Sequence, residues 1–104
     1  MLLENFSFVY YGHTLRKIRK NRNLTQQELA ERCSLDPSYI SLLERERKKP
    51  GYDTIFFLAI GLGMAPSELL KEIEEHPENQ WLKEIIEQGK QNHNINQRTI
   101  VVVY

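Results

Sequence analysis

Leu24-Thr25-Gln26-Gln27-Glu28-Leu29-Ala30, followed after a short gap by Ile40-Ser41-Leu42-Leu43-Glu44, is the stretch whose reading decides the fold. Thr25 and Glu28, three residues apart, form a capping box in which each side chain satisfies a backbone N–H of the first helical turn, so a helix starts here. Leu29 and Ala30 lie on its inner face. Ser34-Leu35-Asp36-Pro37 is then a turn into a further helix: Asp36 offers a cap, and Pro37 suits the first helical position, where no N–H is needed. Ile40 and Leu43 face inward. Two short helices set at an angle by a tight turn are a device for placing one helix in a DNA groove.

Upstream, from about Tyr11 to Asn21, Leu15 and Ile18 share one face while Arg16, Lys17, Lys20 and Arg22 point elsewhere, which predicts an amphipathic first helix ended by the Asn-rich stretch 21–23. Downstream, Pro50-Gly51 closes a basic loop. Asp53 or Thr54 caps a fourth helix running to about Leu62, and Gly63 ends it. Ala65-Pro66 starts a fifth helix holding Leu69, Leu70 and Ile73. His76-Pro77 interrupts the pattern, because the residue before proline avoids helical angles. A sixth helix is expected from about Glu78 to Gln88, with Trp81, Leu82, Ile85 and Ile86 on one stripe and Gly89 as its stop. Residues 90–97 read as a polar linker. The tail Arg98–Tyr104 is rich in strand formers. Residues 1–11, with Phe6, Phe8 and Tyr10 at alternate positions, are a short strand or an irregular lead-in. The chain has no internal repeat.

A chain of 104 residues holds one core and leaves no room for a separate catalytic domain. Its formal charge of zero hides a split: residues 13–51 sum to +5 and everything else to −5. A cationic half that coincides with the paired helices is an electrostatic footprint for phosphate, although a solvated basic helical surface has the same composition. Cys33 is the only cysteine, which excludes an intrachain disulfide and a four-cysteine zinc site; it reads as a small core residue. No apolar run approaches the roughly 20 residues that span a bilayer. Met1-Leu2-Leu3-Glu4 lacks the basic flank and cleavage pattern of a leader, so no membrane partner and a cytoplasmic location are expected.

Signals for chemistry are weak. His13, His76 and His93 are scattered without a metal-spaced companion, and Glu72, Glu74, Glu75 and His76 read as the solvated end of a helix. Gly61-x-Gly63 falls at a helix end and is no phosphate loop. The expectation is therefore no enzyme, no metal and no cofactor.

Leu15-Arg16-Lys17-Ile18-Arg19, Leu24 to Ala30, Tyr39-Ile40-Ser41-Leu42-Leu43-Glu44, Lys49-Pro50, Leu58-Ala59 and Leu62-Gly63 together resemble the helix-turn-helix domain of the Xre/Cro/CI-type transcriptional regulators, over roughly residues 12–72. The resemblance implies an all-α fold, a five-helix lambda-repressor-like DNA-binding domain, here with an extra C-terminal helix and a short β arm. It divides the chain into a lead-in (1–11), the helix-turn-helix domain (12–75) and a C-terminal helix and strand extension for dimerisation (76–104).

It also implies a site for double-stranded DNA. The start of the third helix, with Asp36, Pro37, Ser38, Ser41 and then Leu42 exposed, enters the major groove. Ser38 and Ser41 tolerate several bases, Leu42 suits a thymine methyl group, and Asp36 either caps the helix or accepts from cytosine. None of these makes a bidentate base contact, so shape, water or paired half-sites carry much of the specificity. Gln26 holds a phosphate oxygen at the head of the second helix. Tyr39, Arg45, Arg47 and Lys48 clamp the flanking backbone, against the plainer readings of a packed Tyr39 and a solvated turn. Arg19 and Glu44 occupy positions that the family pairs as a structural ion pair.

Phe57 and Ile60 depart from the family pattern, which more usually carries polar or basic residues there. They leave the fourth helix apolar nearly all round and in need of a second surface, either a sister subunit or the chain's own Trp81, Leu82, Ile85 and Ile86 stripe. A homodimer is expected through Phe57, Ile60, Trp81 and Ile85, with Ile100 and Val102 pairing as a strand with a symmetry mate or with residues 4–10. The resulting expectation is a sequence-specific transcriptional regulator, most simply a dimeric repressor. An antitoxin-type regulator that also binds a protein antagonist or toxin, and an interaction module without DNA binding, are the other readings.

Overall fold

Side-chain caps at Thr25 and Asp36 decide where the two helices of the central motif begin. The computed structural model describes residues 9–91, which form six α-helices and one 3-10 turn with no strand among the described residues. The expected β arm, with Ile100 and Val102, lies outside the described residues, as does His93.

Helix α1 (Gly12–Asn21) buries Leu15, Ile18 and Arg19. Asn23 then takes a left-handed φ of 57°, and the chain turns to bury Leu24. Helix α2 (Gln26–Cys33) opens on the capping box: Glu28 N donates to Thr25 Oγ1 at 3.0 Å and Thr25 N to Glu28 Oε1 at 2.9 Å. The Thr25 backbone N–H foremost, and then the Thr25 side chain, hold the Glu28 carboxyl below the usual carboxylate range. Helix α3 (Pro37–Glu44) follows the Ser34 turn.

Helix α4 (Tyr52–Leu62) starts earlier than Asp53 or Thr54 would have it, with Gly51 as the flanking residue. The chain becomes helical as soon as it has passed Pro50, and Asp53 falls inside the first turn, where its charge faces the positive end of the helix dipole. Gly63 ends the helix at φ 72°, which glycine adopts without steric cost. Helix α5 (Pro66–Glu74) buries Leu69 and Ile73 but leaves Leu70 49% exposed, so the apolar stripe is narrower than its sequence implies. After the 3-10 turn Pro77–Asn79, helix α6 (Gln80–Gln91) runs straight through Gly89. A glycine inside a helix costs only about 1 kcal/mol relative to alanine, and no left-handed turn forms there.

Helix α2 packs between α3 and α4, α1 rests on α3 and α5, and α6 lies against α5 and the 3-10 turn. Leu15, Ile18, Leu29, Ile40, Leu43, Leu58, Leu62 and Leu69 form the centre of the core. The α2–α4 contact is the most extensive of these. A Cβ on Gly61 would collide with Cys33 Sγ and come within 3.2 Å of Leu29 Cδ1, so the missing side chain is what lets the two helices approach. Burial pushes the Cys33 thiol up, as expected of a packed sulfhydryl. No single described helix is long and apolar enough to cross a membrane.

Candidate nucleic-acid interface

The α2–α3 turn is tight because its backbone groups are spent inside it. Ser34 is left-handed at φ 57°. Leu35 N donates to Ala30 O at 2.9 Å, closing α2 with the bonding of a Schellman turn. Asp36 Oδ1 accepts from both Ser38 N (2.8 Å) and Ser38 Oγ (2.7 Å). The Ser38 hydroxyl and then its N–H hold the Asp36 carboxyl below the usual range. Asp36 thus caps α3, and the Ser38 hydroxyl, its proton committed to that cap, is left as an acceptor toward any ligand.

On α3, Ile40, Leu43 and Glu44 are buried while Pro37 and Ser38 are exposed and Ser41 and Leu42 half-buried. Ser38, Ser41, Leu42 and Arg45 follow the three- and four-residue spacing of one helix face. Arg45, Arg47 and Lys48 are exposed just beyond the helix. Tyr39 is half-buried and packs against the core, so its ring is partly a core group.

Beneath this face, a polar network fixes α3. Arg19 Nε meets Glu44 Oε2 at 2.6 Å and Arg19 Nη2 meets Glu44 Oε1 at 3.0 Å, a two-pronged pair with both residues 7% exposed. Arg19 Nη1 also donates to Leu24 O at 2.7 Å. Gln26 Nε2 donates to the same Glu44 Oε1 at 3.0 Å. That bond uses one of two amide hydrogens and holds Gln26 at the head of α2, beside the first-turn N–H groups that a helix cannot pair internally.

Sequence reasoning missed the second half of the network. Glu46 takes a left-handed φ of 61°, and Arg47 N donates to Leu42 O at 2.8 Å, ending α3. The Glu46 carboxylate is thereby turned toward α1, where Oε1 accepts from Tyr11 N at 2.9 Å and Gly12 N at 2.5 Å. Gly12 itself is required by space: a Cβ there would collide with Glu44 O and stand 2.7 Å from Leu43 O. The Tyr11 hydroxyl donates to Lys48 O. Burial, then Glu46 and Tyr39, push the Tyr11 phenol up to about 12. Tyr11 and Glu46 thus lash the basic loop to α1. The only signal in the sequence was an acid, Glu46, set among Arg45, Arg47 and Lys48.

On α4, Phe57 is 49% and Ile60 66% exposed, and Tyr52 (82%) and Phe56 (52%), not singled out from sequence, extend the same surface. Trp81, Leu82 and Ile85 are half-buried on α6, against α5 and the 3-10 turn, and leave this α4 surface open. Among the described residues, one group of potential metal ligands comes together, His13, His76 and Glu78.

A helix-turn-helix family model matches residues 15–69. The immunity repressor protein of Bacillus phage phi105 is 39% identical over 61 residues, 59% of this chain and 42% of the repressor, so the match spans less than half of that relative. Among solved structures, the clp gene regulator ClgR of Corynebacterium glutamicum superposes with a TM-score of 0.63 at 27% identity, covering 84% of this chain and 94% of ClgR. The restriction-modification controller protein C.Esp1396I, solved as a tetramer with its natural 35 base-pair operator, gives 0.56 at 28% identity over 64% of this chain and 93% of its own.

Proposed function

Because the chain belongs to the helix-turn-helix family of Xre/Cro/CI-type transcriptional regulators, we propose that it binds specific sites on double-stranded DNA in the cytoplasm and regulates transcription there, as a repressor acting through a homodimer. One observation carries this reading: the α3 face of Ser38, Ser41 and Leu42 is presented outward beside exposed Arg45, Arg47 and Lys48, and the Arg19–Glu44 pair holds it rigid from below. Ser41 and Leu42 read base edges, Ser38 accepts from them, and Gln26, Arg45, Arg47 and Lys48 hold phosphates. Asp36 stays with its cap.

The second copy docks on α4. Tyr52, Phe56 and Ile60 recur every four residues on one stripe with Phe57 beside them, and so large an apolar surface on a short helix is suited to a self-complementary contact. The relative C.Esp1396I, crystallised as a tetramer on its operator, supports self-association on DNA. Two recognition helices related by such an axis would read half-sites about 34 Å apart.

Selection of bound sequences from a pool of random duplexes tests the proposal. The expected result is an enriched two-part site, lost in the Ser38→Ala/Ser41→Ala double variant while salt-sensitive nonspecific retention persists. A pool that stays random, with no retention at low salt, would overturn the DNA-binding reading.

A further inference from the structure

The first turn of α1 meets the 3-10 turn, and there His13, His76 and Glu78 each place one ligand-capable atom within 4.8 Å of the others. His13 Nδ1 and His76 Nδ1 both stand 3.9 Å from Glu78 Oε1. The two imidazoles lie edge to face with centroids 5.8 Å apart. A tetrahedral zinc with bonds of about 2.0–2.2 Å sets its ligand atoms roughly 3.4 Å apart, so closing this triad takes movements of about an ångström. His13 and Glu78, with side chains 73% and 48% exposed, have the freedom to make them.

The backbone beneath is already stapled. Asn79 is fully buried; its Oδ1 accepts from Tyr10 N at 2.8 Å, and its Nδ2 donates to Tyr10 O and Ile73 O, both at 2.7 Å. The segment carrying His13 and the segment carrying His76 and Glu78 are therefore held together before any ligand arrives. His13 and Glu78 also line an open cleft with Arg45, Arg47 and Glu46, and Glu46 Oε2 is buried without a hydrogen-bond partner among the described residues. Glu72 and Glu75 line a second cleft with His76. Arg45, Arg47 and Lys17 line the same clefts and offset these carboxylates, so the case for a metal rests on the donor set itself, and the clefts give water access to the remaining coordination position.

We propose that His13, His76 and Glu78 bind one divalent first-row transition-metal ion, zinc foremost, with water completing the shell. Two imidazoles and one carboxylate form a borderline donor set suited to Zn²⁺, Co²⁺ or Ni²⁺ and poorly suited to Mg²⁺ or Ca²⁺. A metal on His76 Nδ1 takes over the lone pair that accepts from Glu78 N at 3.1 Å, exchanging a neutral hydrogen bond for a coordinate bond. The ion bolts α1 to the turn that launches α6, so the C-terminal extension is held more firmly when it is loaded.

The experiment titrates the untagged full chain with Zn²⁺ against a chromophoric chelator, and with Co²⁺ by its visible absorption. The expected result is one ion per chain, a tetrahedral Co²⁺ spectrum and a melting temperature that rises with Zn²⁺. His13→Gln and Glu78→Gln should each weaken uptake by at least about tenfold and abolish the thermal shift, while His93→Gln leaves both intact. His13 is exposed enough that its variant folds with an unchanged metal-free melting temperature. Absence of uptake, uptake unaffected by His13→Gln and Glu78→Gln, or uptake abolished by His93→Gln would each overturn the site.

Discussion

Helix α3, the proposed recognition helix, and its neighbour α4 both pack on α2, yet they are finished in opposite ways. Every side of α3 is accounted for within the chain: apolar residues inward, Glu44 paired with Arg19, both ends closed by Asp36 and the Glu46 turn, and a polar face outward. Helix α4 is equally well buried through Leu58, Ala59 and Leu62, but its outer surface of Tyr52, Phe56, Phe57 and Ile60 has no cover among the described residues. The first helix is specified by hydrogen-bond geometry, which acts within one chain. The second is specified by apolar area, which is satisfied only by another surface.

Variants can break that contrast, beginning with the largest effect on stability. Glu44→Gln strands the Arg19 charge in a buried site and should cost about 3–5 kcal/mol in denaturant unfolding, with DNA affinity falling alongside; an unaltered midpoint would remove the pair from the account of α3. Gly61→Ala forces α4 away from Cys33 and should cost about 1–3 kcal/mol. Part of that loss should return in the Cys33→Ala/Gly61→Ala double variant, and strict additivity in the cycle would show that the collision is relieved elsewhere.

Tyr11→Phe deletes the bond to Lys48 O and should cost about 1 kcal/mol near neutral pH. Because folding raises this phenol from 10.0 to about 12, its contribution is fully present below pH 10 and is lost as pH climbs through about 12. The gap between wild type and Tyr11→Phe should therefore narrow across that window. A gap that widened there would contradict the burial of the hydroxyl.

Phe57→Ser and Ile60→Ser sharpen the comparison from the other side, since these exposed residues should change monomer stability by no more than about 0.5 kcal/mol while abolishing the dimer in sedimentation. A dimer that survives both would move the interface off α4. Smallest of all for the fold is Arg47→Ala, expected to leave the melting temperature alone and to lower the log–log salt slope of DNA binding by about 0.9. An identical slope would place Arg47 in solvent.

Much of this molecule was legible in its sequence because capping, helix periodicity and turn chemistry act over a few neighbouring residues. Thr25, Glu28, Asp36, Pro37 and Gly63 announce their helix ends, and Leu29, Ile40 and Leu43 announce their buried faces. Those local rules also overreached: Gly89 read as a stop and is helix interior. The arms of Glu46 and Asn79 were invisible, since each owes its role to a segment far along the chain.

Sequence by itself therefore determined the family, the order of the helices and the cationic character of the half that carries α3, all of which follow from short-range patterning and charge. Tertiary structure alone decided that Glu46 serves α1 rather than solvent, that Gly12 and Gly61 are demanded by close packing, and that His13 stands beside His76. Which side chains meet across a folded core depends on how helices cross, and no spacing along the chain encodes that angle.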